Sequence, residues 1–139
     1  MPVATDVLNK LPRTFSDIQK DKSVARVLLH GSPGSGKTSI LGYIYTRLKA
    51  RYPDVPVYYV RSTEFNLQRN CIIKEIGEVP QCVVILDDAH NWYANENFFG
   101  LFKSTHRILV AGANYVVPSA NPIGPVDFQV KCNIARADV

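Results

Sequence analysis

Eight consecutive residues, Gly31-Ser32-Pro33-Gly34-Ser35-Gly36-Lys37-Thr38, fit the pattern GxxxxGK[ST] in full. The chemistry that this spacing serves is the capture of a polyphosphate. Backbone N–H groups must wrap around phosphate oxygens, and Gly31, Gly34 and Gly36 allow conformations and approaches that a Cβ would block. The loop opens a helix, whose first N–H groups and dipole favour an anion. Lys37 brings a compact positive charge to the β and γ phosphates. The Thr38 hydroxyl is placed to ligate Mg²⁺, and Ser39 completes the nucleotide-binding set that runs from Gly31.

A second group of candidates follows an apolar run. Cys82-Val83-Val84-Ile85-Leu86 ends in Asp87-Asp88, the Walker B pattern. Mg²⁺ prefers oxygen ligands and keeps several waters, so one carboxylate near the Thr38 hydroxyl suffices, and Asp87 is assigned that role. Asp88 occupies the position where many ATPases hold a glutamate that polarises the attacking water. It is one methylene shorter, which limits its reach. Asp87-Asp88-Ala89-His90 also resembles the DEAH box of helicases. A helicase needs two lobes, and this length supplies one. His90 is read as a hydrogen-bonded loop histidine, and Trp92 and Tyr93 as packing under the next helix rather than as a platform for a base.

These residues need a scaffold that brings both motifs to one edge. Arg26–His30 is a short apolar run ending at glycine and reads as a buried strand. Lys37–Arg51 carries Ile40, Leu41, Ile44 and Leu48 at helical spacing, with Pro53 just beyond. Val57–Arg61 is rich in β-branched and aromatic residues, a second strand. Leu67–Ile76 reads as a helix closed by Gly77 and Pro80, and Gln81–Leu86 as a strand covered on both faces. Asn95–Lys103 places Phe98, Leu101 and Phe102 on one helical face, and Arg107–Gly112 is another buried strand. Val116–Pro125 reads as loop and Phe128–Ile134 as a last strand. Strand and helix alternate, which predicts a three-layer α/β domain with a mostly parallel sheet of four or five strands. Ligands in such sheets sit at the carboxyl ends of strands, where every candidate above falls. Residues 1–25, with a weak helical pattern at Val7, Leu8, Leu11, Phe15 and Ile18, are expected to lead into a core spanning 26–139.

Together these residues resemble the P-loop ATPases of the additional-strand class, which includes AAA+ and STAND NTPases, over Arg26–Asn114. The resemblance implies Mg²⁺-dependent ATP binding and hydrolysis, with Lys37 stabilising the transferring phosphoryl charge. It also implies a polar sensor at the end of the strand after Walker B, for which Asn114 is the match. Arg136 is the only arginine after Arg107. An arginine finger and a helical lid are not found, which weighs against a ring that hydrolyses in trans. Phe98, Phe99, Phe102 and Lys103, the Arg107–Tyr115 stretch, and Asn121-Pro122-Ile123 with Val126-Asp127-Phe128 are similar to the NTPase domain of crinkler-type effectors. That likeness would imply action in a host cell or nucleus, although no N-terminal targeting header is found.

Composition narrows the remaining choices. With 139 residues, 46% hydrophobic and 20% charged, the chain suits one globular domain. A net charge of +4 permits contact with nucleic acid or an acidic surface without requiring it, and a protein partner or self-association stays open. Cys71, Cys82 and Cys132 have no CxxC spacing, so reduced intracellular thiols are expected. No apolar run has the length of a membrane span, and no signal sequence opens the chain. No guanine-reading NKxD motif is present, which tilts the base toward adenine. Two functions stay open: an ATPase, and a nucleotide-binding switch or interaction module with little turnover.

Overall fold

The computed structural model describes residues 2–19, 24–64, 67–103, 106–115 and 126–132. Five strands make one sheet: β1 (Arg26–His30), β2 (Val57–Arg61), β3 (Cys82–Asp87), β4 (Arg107–Ala113) and β5 (Phe128–Lys131). Their spatial order is β2-β3-β4-β1-β5, and every neighbouring pair is parallel. The expected α/β domain is therefore present, with five strands and β4 inserted between the phosphate-loop strand β1 and the acidic strand β3. The unalternating runs follow from the covered faces. All six residues of β3 are buried, whereas the edge strands β2 and β5 are mostly half-buried.

Side chains alternate across the sheet and so build two cores. Val27, Leu29, Val83, Ile85, Ile108 and Val110 face α2 (Lys37–Arg51), which presents Leu41, Ile44 and Leu48. Packing there is close: a Cβ on Gly112 would lie 2.7 Å from Leu41 Cδ1. The opposite face, with Leu28, Val84, Leu86, Leu109 and Ala111, is covered by α3 (Arg69–Gly77), α4 (Glu96–Phe99) and two 3-10 turns, Ala89–Trp92 and Gly100–Phe102.

The N-terminal segment joins the first core. Helix α1 (Pro2–Lys10) buries Ala4, Val7 and Leu8, and a 3-10 turn, Phe15–Gln19, adds Phe15 and Ile18. Pro12 lacks an N–H and separates the two. The end of α2 holds this segment: Arg51 Nη1 donates to Leu8 O at 2.7 Å, and the Tyr52 hydroxyl donates to Pro12 O.

From β1 onward, differences from the sequence reading are confined to element ends. Helix α3 starts at Arg69 rather than Leu67, and β3 and β4 each run one residue further, to Asp87 and Ala113. The Asn95–Lys103 helix is α-helical over four residues only, then tightens into the 3-10 turn. It starts at Glu96 rather than Asn95, whose side chain caps it by accepting from Phe98 N at 3.0 Å. The Val116–Pro125 loop, Asn121-Pro122-Ile123, Arg136 and the end of the last strand lie outside the described residues. No helix among the described residues is long and apolar enough to cross a membrane.

Candidate functional site

The loop between β1 and α2 is held close to the sheet. Gly31 N donates to Ala113 O at 3.1 Å, and a Cβ at Gly31 would stand 2.5 Å from the Cys132 carbonyl oxygen. Gly34 and Gly36 take φ of +82 and +84, the left-handed region. These turns aim the start of α2 into an open cleft of about 410 Å³. Pro33, Gly34, Gly36, Lys37, Thr38 and Ser39 line it, together with Asp87, Asp88 and Asn114. Gly31 and Ser35 are buried instead and, with Ser32, hold the lysine. Lys37 Nζ donates to Gly31 O at 2.7 Å, Ser32 O at 3.0 Å and Ser35 Oγ at 3.3 Å. The ammonium is thus partnered by loop dipoles while only 7% exposed. A larger cavity of about 500 Å³, lined by Arg69, Asn91, Trp92 and Asn95 among others, contains none of the motif residues.

Asp87 ends β3 facing α2, because it shares a face with Val83 and Ile85. It is 2% exposed, and burial of a carboxylate requires partners. Oδ2 accepts from Thr38 Oγ1 at 2.9 Å and from the Tyr59 hydroxyl at 3.1 Å, and Oδ1 accepts from Asp88 N at 3.0 Å. The Thr38 bond joins residues 49 positions apart in the chain. Burial, and then the charge of Asp87, push the Tyr59 phenol up to about 12, so it serves as a donor. A hydroxyl and a carboxylate oxygen side by side are the hard donors that Mg²⁺ takes, so the residues fit that ion. Among the described residues no group of three or more His, Cys, Asp or Glu could hold a metal. An ion here would complete its shell with phosphate and water.

The far wall of the cleft is made by the turn after β3 and the end of β4. Asp88 has φ 56 and ψ 44, the only non-glycine residue at positive φ among those described. Aspartate tolerates this left-handed conformation better than most residues. Its carbonyl is fixed by Ser62 Oγ at 2.7 Å and Asn91 N at 3.1 Å, and Asn91 Nδ2 donates to Ser62 Oγ at 3.2 Å. The Asp88 carboxylate caps nothing and lines the cleft.

His90 reaches across to β4. Asn114 N donates to His90 Nδ1 at 3.2 Å. A backbone N–H can only donate, so Nδ1 is the acceptor and a neutral ring carries its proton on Nε2. Asn114 Nδ2 lies 3.4 Å from Nε2, and an Nε2–H would be accepted there with the amide turned to present Oδ1. Trp92 and Tyr93 are buried, and Trp92 packs edge-on against Phe98 at 5.1 Å. The expected packing role is what the structure shows.

Of the residues named from the sequence, Pro33, Gly34, Gly36, Lys37, Thr38, Ser39, Asp87, Asp88 and Asn114 line the cleft, and Gly31, Ser32 and Ser35 lie outside its lining. Tyr59, Ser62 and Asn91 were not named, because their roles depend on strand register and turn geometry. The one legible signal is the alternation of β2: Tyr59 pairs with Ile85, placing it one side chain behind Asp87 on the same face.

The loop, the acidic strand end and the inserted β4 define a P-loop nucleotide-binding ATPase domain of the additional-strand type. The chain belongs to the AAA family, the ATPase family associated with various cellular activities, whose model matches residues 27–108. It is 31% identical over 114 residues to the chromosomal replication initiator protein DnaA of Bacteroides fragilis (strain YCH46). That match covers 71% of this chain and 24% of the relative, so the chain spans about a quarter of the relative's length. Its fold is similar to C. elegans PCH-2, with a TM-score of 0.63, 16% identity, and 94% of this chain and 40% of that one covered. It is also similar to a replication initiator DnaA bound to AMPPCP and single-stranded DNA, with a TM-score of 0.52 and 19% identity, covering 81% and 38%. None of these matches is to a crinkler-type protein, and that resemblance gains no support.

Proposed function

We propose that this domain binds Mg·ATP and hydrolyses it. The observation that carries the reading is the 2.9 Å bond from Thr38 Oγ1 to Asp87 Oδ2, which ties the phosphate loop to the acidic strand end at the mouth of one cleft. Backbone N–H groups of Gly34 and Gly36 and of the start of α2 bind the phosphates. Lys37 leaves its carbonyl partners for the β and γ oxygens, and Thr38 and Asp87 hold Mg²⁺. When bound, the ion neutralises charge developing on the phosphate oxygens. Asp88 orients the attacking water, and Asn114, set by His90, contacts the γ-phosphate. The lack of a guanine-reading motif supports ATP as the nucleotide.

A second reading is a nucleotide switch with little turnover. The backbone of Asp88 favours it: the carbonyl is fixed by Ser62 and Asn91, so a short side chain has little freedom to advance on the water. Phosphate release with Mg·ATP and Mg·GTP, on wild type and Asp88→Asn, separates the two. An ATPase releases phosphate from ATP and loses that activity in the variant. A switch shows marginal release in both and a long-lived ATP state. As a macromolecular ligand, single-stranded DNA is the first to test, on the net charge of +4 and the DNA-bound initiator relative. Anisotropy with a labelled oligonucleotide, with and without ATP, is the measurement.

A further inference from the structure

We propose that Tyr59 is a positioning residue for the Mg²⁺ site, its hydroxyl fixing the plane of the Asp87 carboxylate. This rests on the reading above, in which Thr38 and Asp87 hold the ion. The terminal torsion of an aspartate is broad, so no rotamer preference decides which oxygen faces the helix. Hydrogen bonds must decide it. Thr38 Oγ1 alone provides a pivot about which the carboxylate could turn. The Asp88 N–H on Oδ1 and the Tyr59 hydroxyl on Oδ2 make the orientation three-pointed. A carboxylate offers about four lone-pair sites. Two donors fill Oδ2 and one occupies Oδ1, which leaves lone-pair capacity on the carboxylate for the ion it would hold.

Tyr59 is itself held firmly enough to do this. Its ring meets Tyr45 of α2 edge-on, with centroids 5.6 Å apart at 88°. Lys49 lies 5.2 Å from the Tyr45 ring on the same helix, and Arg61 lies 6.0 Å from the Tyr59 ring. The ring therefore lies between α2 and the end of β2, and its hydroxyl projects forward from opposite Ile85 to Asp87.

The test is a calorimetric titration of ATP at a series of Mg²⁺ concentrations and in chelator. Tyr59→Phe removes one oxygen and keeps the ring packing. The Mg²⁺ needed for half of the gain in ATP affinity should rise about tenfold, the lower end of what losing a ligand's supporting hydrogen bond costs. Affinity in chelator should stay at the wild-type value, which a general loss of structure would not allow. Tyr45→Phe, one ring away, should leave the Mg²⁺ requirement unchanged. A Tyr59→Phe titration at wild-type Mg²⁺, or at lower Mg²⁺ because the hydroxyl competes with the ion, overturns the proposal. Asp87→Ala in the same assay separates the two levels. If Asp87→Ala loses the Mg²⁺ dependence and Tyr59→Phe does not shift it, only the role of Tyr59 falls. If Asp87→Ala keeps the dependence, the metal site falls with it.

Discussion

On one wall of the cleft, Lys37, Thr38 and Asp87 are tied into loop, helix and strand by hydrogen bonds of 2.7 to 3.3 Å, and Lys37 and Asp87 are buried. On the other wall, Asp88 sits at positive φ with its carboxylate uncapped, and the half-buried His90 bridges to Asn114 over 3.2 and 3.4 Å. The first wall holds its charges with local dipoles until a ligand exchanges with them, which suits binding. The second is a strained turn joined to a strand end by one ring. Strain of that kind is kept only where the surroundings impose it, and it often marks the reacting part of a site. Binding and turnover should therefore separate by wall.

The largest expected effect tests that separation directly. If Asp88 orients the water, Asp88→Asn should lower turnover by ~10²–10⁴-fold, because the amide cannot accept a proton. Affinity for Mg·ATP should stay within about twofold, since the first wall is untouched. A parallel loss of binding and turnover would erase the distinction between the walls.

Lys37→Ala is the reciprocal test. Loss of a charge-assisted contact of about 3 kcal/mol corresponds to ~10²-fold in affinity. The variant also leaves the Gly31 and Ser32 carbonyls without their donor, so the free protein should lose about 1 kcal/mol of stability. Calorimetric titration and urea unfolding measure the two effects. Wild-type affinity in a folded variant would mean that the loop does not bind the phosphates.

The two walls also differed in how far the sequence disclosed them. The first is contiguous: eight residues carry the loop, and the apolar run before Asp87 announces its strand. Parallel strands covered on both faces need such runs, and for the same reason β1, β3 and β4 were found within about one residue. Tyr59 escaped because its partner is fixed by register between β2 and β3, which no local pattern encodes. The Asp88 turn escaped because a left-handed aspartate looks like any other aspartate in a sequence. The hydrogen bond expected of His90 is present, but its partner Asn114 lies just past the end of β4, which no local pattern discloses. Helix α4 was overextended because the phenylalanines that suggested helical spacing pack equally well from an α turn followed by a 3-10 turn.

A smaller effect probes the bridge within the second wall. His90→Ala frees the Asn114 backbone N–H and side chain, and turnover should fall about tenfold, corresponding to about 1.4 kcal/mol of lost positioning, with Mg·ATP affinity unchanged. Asn114→Ala should give a similar loss, and the double variant little more than either single one, because both act through one contact. Single-turnover phosphate release is the measurement. Fully additive losses would show that His90 and Asn114 act separately.

The smallest effect concerns stability, and it asks whether the aromatic support of this wall can be changed without changing the chemistry. Tyr93 is 4% exposed; its hydroxyl donates to Tyr115 O at 2.7 Å, and its ring meets Tyr115 at 5.4 Å. Burial raises its phenol above the ordinary value, with the nearby Tyr115 adding to the shift. The folded protein thus keeps this proton at pH values where the unfolded chain releases it. The contribution is fully present below the unfolded value near 10 and is lost as pH rises above it. Tyr52 and Tyr59 are raised as well, so they add to an alkaline decline of the same sign. Tyr93→Phe should cost about 1 kcal/mol at neutral pH, at the modest end because Tyr115 is exposed and water can reach its carbonyl. It should also make the fall in urea midpoint above about pH 10 shallower than in wild type, with turnover within about twofold. Parallel wild-type and variant curves across that range would show that Tyr93 ionises as freely in the folded protein as in the unfolded chain.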